Sequence, residues 1–375
     1  MITAGSRWTG CPDGHVLARS SGDGPATIEC MIAAEVRAQF PGASGYLNTA
    51  SLGLPPQVTV EAMNAALSEW QSGAATAPGY DRYVDESRAA FAGMVGVPAA
   101  QVAVGAQVSA LVGMAVTVLS PGARVVVPEG EFTSLVFPFL TRVDLGVEVV
   151  SAPLDRLAEA VTPGTAMVAF SLVQSADGQV ADAPAIRAAA RAAGALILAD
   201  ATQAAGWLPF AADDYDITVT GGYKWLLCPR GTAFMTVRPE LLERIQPLYA
   251  GWYAGPDPWD SIYGLPLRLA SDARRLDLSP AWHAWVGSAT SLRLIAAVGV
   301  EAIHAHSVGL ANAARVRLGL APGDSSMVSL ALPADFEARQ LERLRTAFRA
   351  GRLRVGFHLY NTPEDVDRLV AAVRG

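Results

Sequence analysis

Lysine is nearly absent from this chain: Lys224 is the single lysine, against 27 arginines. Arginine serves surface charge and ion pairing, but a Schiff base needs an amine that can lose its proton and attack a carbonyl. Lys224 sits in Thr220-Gly221-Gly222-Tyr223-Lys224-Trp225-Leu226, a glycine-flanked, largely apolar passage. It is therefore a candidate nucleophile. The competing reading is an arginine-biased composition that left one lysine in a turn.

Cysteine is scarce too. Cys11, Cys30 and Cys228 have no paired spacing and no Cys/His companions, which excludes a disulfide scaffold or a zinc site and suits a reducing compartment. Charge is low at 17% while about half the residues are apolar, so extended disorder is excluded beyond the ends. A net charge of -7 argues against a nucleic-acid surface, and the densest arginines, over 339–354 and at Arg274-Arg275, form no basic patch. The most apolar stretch, 108–119, is too short to span a bilayer, and the first 20 residues carry polar groups throughout rather than a signal-peptide core. A cytoplasmic protein with no membrane or nucleic-acid partner is expected.

The 375 residues suffice for a large domain and a smaller one. Residues 1–25 have the Gly, Ser, Asp and Pro content of a flexible leader. Helical spacing begins at 28–40, an extended segment covers 46–50, and a helix spans 58–70. Strands are then predicted at 102–104, 124–127, 148–151, 166–172, 196–199, 217–220 and 232–237. Helices are predicted at 82–94, 107–119, 134–140, 154–161 and 184–193, with another opening at Pro239. This alternation indicates an α/β fold, a three-layer domain on a mostly parallel sheet, spanning 26–270. Residues 246–282 are irregular and rich in aromatics, Gly and Pro. The remainder, 271–375, has helices at 285–298, 301–318 and 336–347 and strands at 327–332 and 353–357. Asn361 or Thr362 caps a last helix through Val373, giving a smaller α+β C-terminal domain.

Asp200 closes the apolar strand 196–199, and Lys224 follows after one more strand, so a carboxylate and an amine fall at neighbouring strand ends, where open α/β sheets bind ligands. Pyridoxal phosphate needs such a pair: an amine for its aldehyde and a carboxylate to keep its ring nitrogen protonated. A helix cap or surface turn is the other use of an Asp at this place. Gly105-Ala106-Gln107-Val108-Ser109 lies between a strand and a helix, where backbone N–H groups and a hydroxyl can hold a phosphate.

The order of these pieces resembles the class V aminotransferase superfamily of fold-type I pyridoxal-phosphate enzymes over residues 44–373. This group includes cysteine desulfurases, kynureninases, isopenicillin N epimerase-like proteins and C-S lyases. The resemblance rests on Leu198-Ala199-Asp200-Ala201-Thr202-Gln203, on Tyr223-Lys224-Trp225 with Pro229-Arg230-Gly231, on Arg354 through Thr362 with Glu364-Asp365, and on Tyr46-Leu47-Asn48-Thr49-Ala50. It implies that Lys224 is the Schiff-base lysine and proton shuttle, that Asp200 pairs with the pyridine nitrogen, and that Gln203 lies near the phenolic oxygen. It further implies that Ala106 and Gln107 cradle the phosphate with help from Tyr223, that Phe132 stacks over the ring, and that Arg354 grips the substrate α-carboxylate. Asn48 belongs to the family's N-terminal signature and is expected at the substrate. Ser279 corresponds to a hydroxyl that reaches the phosphate of a partner subunit, so a homodimer with shared active sites is implied.

Two departures bear on the reaction. Ser175 stands where relatives commonly have Asn, and Gln107 where they commonly have Thr. A desulfurase needs a mobile nucleophilic cysteine well after the lysine, yet no cysteine follows Cys228, only four residues beyond Lys224. His283 and His358 are the histidines nearest these motifs. The expected function is a pyridoxal-phosphate enzyme acting at the α-carbon of an amino acid, by β-elimination as in C-S lyases. Epimerisation and transamination are the alternatives, ahead of kynureninase-like hydrolysis or a non-enzymatic homologue. The irregular aromatic segment suits either a substrate entrance or a subunit seam.

Overall fold

Short runs rich in Val, Ile and Ala form the strands of the large sheet. In the computed structural model, which describes residues 32–332, 336 and 341–374, these are β1 (Val102–Gly105), β2 (Arg124–Pro128), β3 (Glu148–Ala152), β4 (Thr165–Ser171), β5 (Leu196–Asp200), β6 (Ile217–Gly221) and β7 (Ala233–Val237). Their order is β1-β7-β6-β5-β4-β2-β3, and only β7 opposes its neighbours. The helices are α1 (Ala34–Arg37), α2 (Gln57–Gln71), α3 (Asp81–Val95), α4 (Val108–Ala115), α5 (Thr133–Leu140), α6 (Leu157–Ala160), α7 (Ala183–Ala193), α8 (Trp282–Val298), α9 (Val300–Arg317) and α10 (Pro363–Arg374).

Side chains alternate across the pleat, and each face buries its own core. Val102, Val104, Val168, Phe170, Ile197 and Ala199 pack on one side with residues of α3, α7 and α8. Ala103, Val125, Met167, Leu198 and Val219 pack on the other with residues of α4 and α5. The result is the expected three-layer α/β arrangement. A second, antiparallel sheet of β8 (Met327–Leu330), β9 (Ala347–Arg349) and β10 (Arg352–Gly356), in the order β8-β10-β9, forms a third core with α9 and α10. No single helix among the described residues is long and apolar enough to cross a membrane.

Several boundaries differ from the sequence-based expectation. The leader over 1–25 and the start of the 28–40 helix lie outside the described residues, and among the described residues of the latter Ala34–Arg37 are helical. The helix expected at 107–119 is regular only to Ala115 and ends in a tight turn at Val116–Val118. Pro239 opens a single turn, Pro239–Leu241, rather than a helix. The helix expected over 336–347 is not formed at its end: Ala347 begins β9 instead. Its hairpin with β10 turns through Ala350 and Gly351, both at positive φ (47° and 75°), with Arg349 paired to Arg352. Two residues at positive φ make a turn whose twist suits a hairpin, and Ala is an uncommon first residue there, so the sequence concealed it.

The segment 45–53 ties the second sheet to the first. Tyr46 and Asn48 bridge to Arg345 and Gly356, Asn361 Nδ2 donates to the Tyr46 carbonyl at 2.9 Å, and Asp365 accepts from Gly45 N at 2.8 Å. Asp365 also accepts from Thr362 N, which caps α10 near the expected place.

A buried ion pair fixes the start of β1. Arg88 Nη2 lies 2.7 Å from Asp277 Oδ2, Arg88 also donates to the Val102 carbonyl, and Asp277 Oδ1 accepts from Val104 N at 2.8 Å. Burial pushes the Asp277 carboxyl up to about 6, with Arg88 opposing the shift. Removing one charge of such a pair leaves the other stranded. Asp277→Asn is therefore expected to lose about 3–5 kcal/mol, seen as a lower urea midpoint at unchanged slope.

Candidate active site

The carboxyl ends of β1, β2, β4, β5 and β6 open onto one cavity of about 400 Å³. Strands that all end at the same edge leave a crevice there, and the connecting loops supply its lining. Of the residues singled out from sequence, Ala106, Gln107, Phe132, Ser175, Asp200, Gln203, Tyr223 and Lys224 line this cavity together. Ser109, whose hydroxyl the sequence offered to a phosphate, joins them, as do Ser134, Ser171, Thr202, Arg230 and Thr232, which had no role in the sequence reading.

Asp200 is placed by register. It ends β5 opposite Ser171 of β4 and Val219 of β6, and its Oδ1 accepts from Thr202 N at 2.7 Å. Thr202 Oγ1 in turn accepts from Gly221 N at 2.9 Å, locking the loop after β5 to the end of β6. Burial raises the Asp200 carboxyl to about 6, opposed by the Thr202 hydrogen bonds, with Glu131 adding to the rise and Lys224 resisting it.

Lys224 is almost fully buried, at 5% exposure. Burial lowers its amine to about 8; Asp200 pulls the other way, while Arg354, Arg349 and Arg230 push it further down. Its Nζ stands 5.2 Å from the Phe132 ring centre and 5.7 Å from that of Tyr223. The turn that carries it is clamped from both sides. Gly53 N donates to the Tyr223 carbonyl at 2.9 Å, and a Cβ at Gly53 would fall 2.0 Å from the Lys224 carbonyl oxygen, so only glycine permits this approach. On the far side Trp225 Nε1 donates to Gln203 Oε1 at 2.7 Å, and His358 Nε2 donates to the Trp225 carbonyl at 2.9 Å. Burial holds His358 neutral, down to about 3. His358 is thus a support behind the lysine and does not line the cavity; His283 packs between Trp70 and Tyr80, away from it.

Gln203 is committed to the protein on both ends of its amide. Its Nε2 donates to the Ala50 carbonyl and to Ser175 Oγ, both at 3.0 Å. Ser175 Oγ also receives Arg354 Nη1 at 3.3 Å, which leaves its own proton free to be donated. Arg354 is 1% exposed; it does not line the cavity but grips Ser175, which does, and donates to Ser51 Oγ at 2.8 Å. Asn48 lies outside the lining, and its carbonyl takes the amides of Ser51 and Leu52 in a turn. Ser279 is exposed and likewise outside it.

Glu131 is a supporting residue that the sequence reading passed over. This buried carboxylate accepts from Phe132 N, Ser171 N, Ser171 Oγ and Gln174 Nε2 at 2.7–2.9 Å, which fixes Phe132 at the cavity wall. Its place directly before Phe132 was the only signal. Arg230 lies 4.9 Å from the Tyr223 ring, a cation held on an aromatic face at the cavity edge. Cys228 is buried with its thiol pushed up to about 12, far from a reactive thiolate.

Residues 46–331 match the family described as Aminotransferase class-V. The chain belongs to the class-V aminotransferase family. It is 28% identical to the uncharacterized aminotransferase YcbU of Bacillus subtilis, over 75% of this chain and 80% of that one. It is 30% identical to the isopenicillin N epimerase of Streptomyces clavuligerus, over 60% and 65% of the two chains. Its fold matches that of a cysteine desulfurase from Thermococcus onnurineus with a TM-score of 0.79 at 20% identity, covering 92% of this chain and 98% of that one.

This class-V chain is a pyridoxal-phosphate-dependent enzyme. The cavity fits that cofactor on its own chemistry. The first-turn amides of α4, the Ser109 hydroxyl and Arg230 provide donors for a phosphate at one end, a buried carboxylate without a hydrogen-bonded cation waits at another, and a buried amine faces the space between. Because Asp200 titrates near 6 rather than its ordinary 3.8, the fold disfavours its charge, and that cost appears as the pH rises through 4 to 6. A protonated ring nitrogen relieves it. Cofactor affinity is therefore expected to weaken about tenfold per unit as the pH falls below about 6, and equilibrium titration of Asp200→Asn should show a weak, pH-independent affinity instead.

Proposed function

We propose that this enzyme cleaves an amino acid by β-elimination, in the manner of a C-S lyase, with Lys224 as the only acid–base group at the reacting carbon. The observation that carries this reading is the one-sided placement of proton carriers. Asp200 also lines the cavity and titrates near 6, but it is committed to the ring nitrogen; that leaves the Lys224 amine as the proton carrier for the reacting carbon, with the Phe132 ring, which has no proton to exchange, 5.2 Å from it. Epimerisation by two bases needs a proton carrier on each face, and this cavity has one. Transfer of sulfur to Cys228 is disfavoured as well, since its thiol is buried and strongly protonated.

Bound pyridoxal phosphate supplies an electron sink for the electrons of the α-carbon. The protein's share follows from the site. Ala106, Gln107, Ser109, Tyr223 and Arg230 hold the phosphate, Asp200 holds the ring nitrogen, Phe132 covers one face, and Ser175, rather than Gln203, donates to the phenolic oxygen. Arg354 takes the substrate α-carboxylate. Lys224, with an amine that titrates near 8, accepts the α-proton when neutral and returns a proton to the leaving sulfur. For an S-substituted cysteine and one water, the products are pyruvate, ammonium and a thiol: the Cα–H and Cβ–S bonds break and the sulfur leaves with its electron pair. The enzyme works as a homodimer, with Ser279 of each chain directed to its partner's site.

The test is a product assay on purified enzyme with S-substituted cysteines and with L- and D-amino acids. Pyruvate and thiol in equal amounts are expected, with at least a ~10³-fold loss in Lys224→Ala, as for removal of a catalytic base and nucleophile. Borohydride reduction of the loaded enzyme should mark Lys224 alone by mass. Recovery of an inverted amino acid, or of an oxo acid with the sulfur still attached, would refute elimination.

A further inference from the structure

Arg354 and Arg349 share one hydroxyl. Arg354 Nη2 donates to Ser51 Oγ at 2.8 Å, and Arg349 Nη2 approaches the same oxygen at 3.4 Å. The first guanidinium comes from β10 and the second from β9, brought together by the antiparallel hairpin that pairs Arg354 with Ala347 and Arg352 with Arg349. Among the described residues neither forms an ion pair with a carboxylate. The contrast is Arg88, as deeply buried as Arg354 but matched by Asp277. Arg354 keeps its Nε buried without a partner.

Two like charges around one neutral hydroxyl repel each other, and the repulsion is strongest where water is excluded. Burial lowers Arg354 and Lys224, and Arg349 adds to both shifts; the Arg349 side chain is exposed and lies outside the cavity lining, and it reaches this region through Ser51. One carboxylate, the substrate's α-carboxylate on Arg354, leaves Arg349 uncompensated at the outer side of the pair. Arg230, the other cation at this site, lies on the Tyr223 ring at the cavity edge.

We infer that the substrate is an amino acid whose side chain ends in a second anionic group, with Arg354 holding the α-carboxylate and Arg349 the distal anion. This rests on the amino-acid reading above and narrows its substrate class: for a C-S lyase, a cysteine whose sulfur bears an acidic substituent. Arg349 is then a specificity residue, placed by the Ala350-Gly351 turn and by the Ser51 hydroxyl.

Two measurements on the holoenzyme separate this inference from the reaction assigned above. In the first, kcat/KM is compared for S-(2-carboxyethyl)cysteine and its uncharged amide. The acid is expected to be preferred, and Arg349→Gln should cut that preference roughly tenfold or more, the worth of a charge-assisted hydrogen bond. An equal loss on both substrates would mean that the two arginines clamp a single carboxylate, and no change in the ratio would mean that Arg349 does not meet the substrate; either overturns the inference. In the second, thermal stabilisation by glutarate is compared with that by butyrate, without turnover. Glutarate is expected to stabilise more, and Arg349→Gln to abolish the difference. If elimination fails but the diacid preference stands, only the reaction is wrong. If elimination stands and neither acid is preferred, only the substrate class is wrong.

Discussion

The arrangement that everything else serves is a buried amine and a buried carboxylate facing one cavity without touching. Neither charge is comfortable there: burial drives the Lys224 amine down to about 8 and the Asp200 carboxyl up to about 6. Each is thereby held close to the protonation state it must change. A lysine on the surface stays protonated at neutral pH and attacks carbonyls slowly, whereas one at about 8 is a ready nucleophile and base. A carboxylate starved of a cation is a preformed partner for a cationic ring nitrogen. The cost is instability in the empty protein, and the fold absorbs it through close packing around both groups.

That packing is specific. The lysine turn is pinned on one side by the Gly53 backbone and on the other by a chain from His358 through Trp225 to Gln203. Gln203 continues to Ala50 and Ser175, so the N-terminal segment, the large sheet and the small sheet meet in one hydrogen-bonded network. Glu131 does the corresponding work behind Phe132. These residues carry no chemistry of their own, yet each fixes a group that does.

Much of this was legible in the sequence. A solitary lysine, and an Asp ending an apolar strand, sit at fixed positions of the alternating pattern, and strand-end geometry then brings them together. The place of Ala106 and Gln107 at the cavity follows from their position between a strand and a helix, whereas Phe132 was reached only through the family resemblance. Three things were not legible. The hairpin at Ala350-Gly351 uses a turn residue that propensity disfavours, so β9 was missed and the helix expected over 336–347 ran into its first residue. Glu131 and Thr202 act through bonds to backbone amides that only tertiary structure brings near. The contacts of Gln203 were not legible either: Trp225, Ala50 and Ser175 all engage its amide. Side-chain satisfaction is a property of the assembled site, and one-dimensional motifs do not encode it.

The single lysine also offers a direct test of the central claim. With lysine labelled at Cε, the cofactor-free protein shows one signal, which reports the Lys224 amine alone across a pH titration. A midpoint near 8 is expected, falling further in Asp200→Asn because the opposing carboxylate no longer favours the charge. A midpoint at the ordinary 10.5, unmoved by that substitution, would show that the amine is neither buried nor coupled to Asp200, and the account of the site would be wrong.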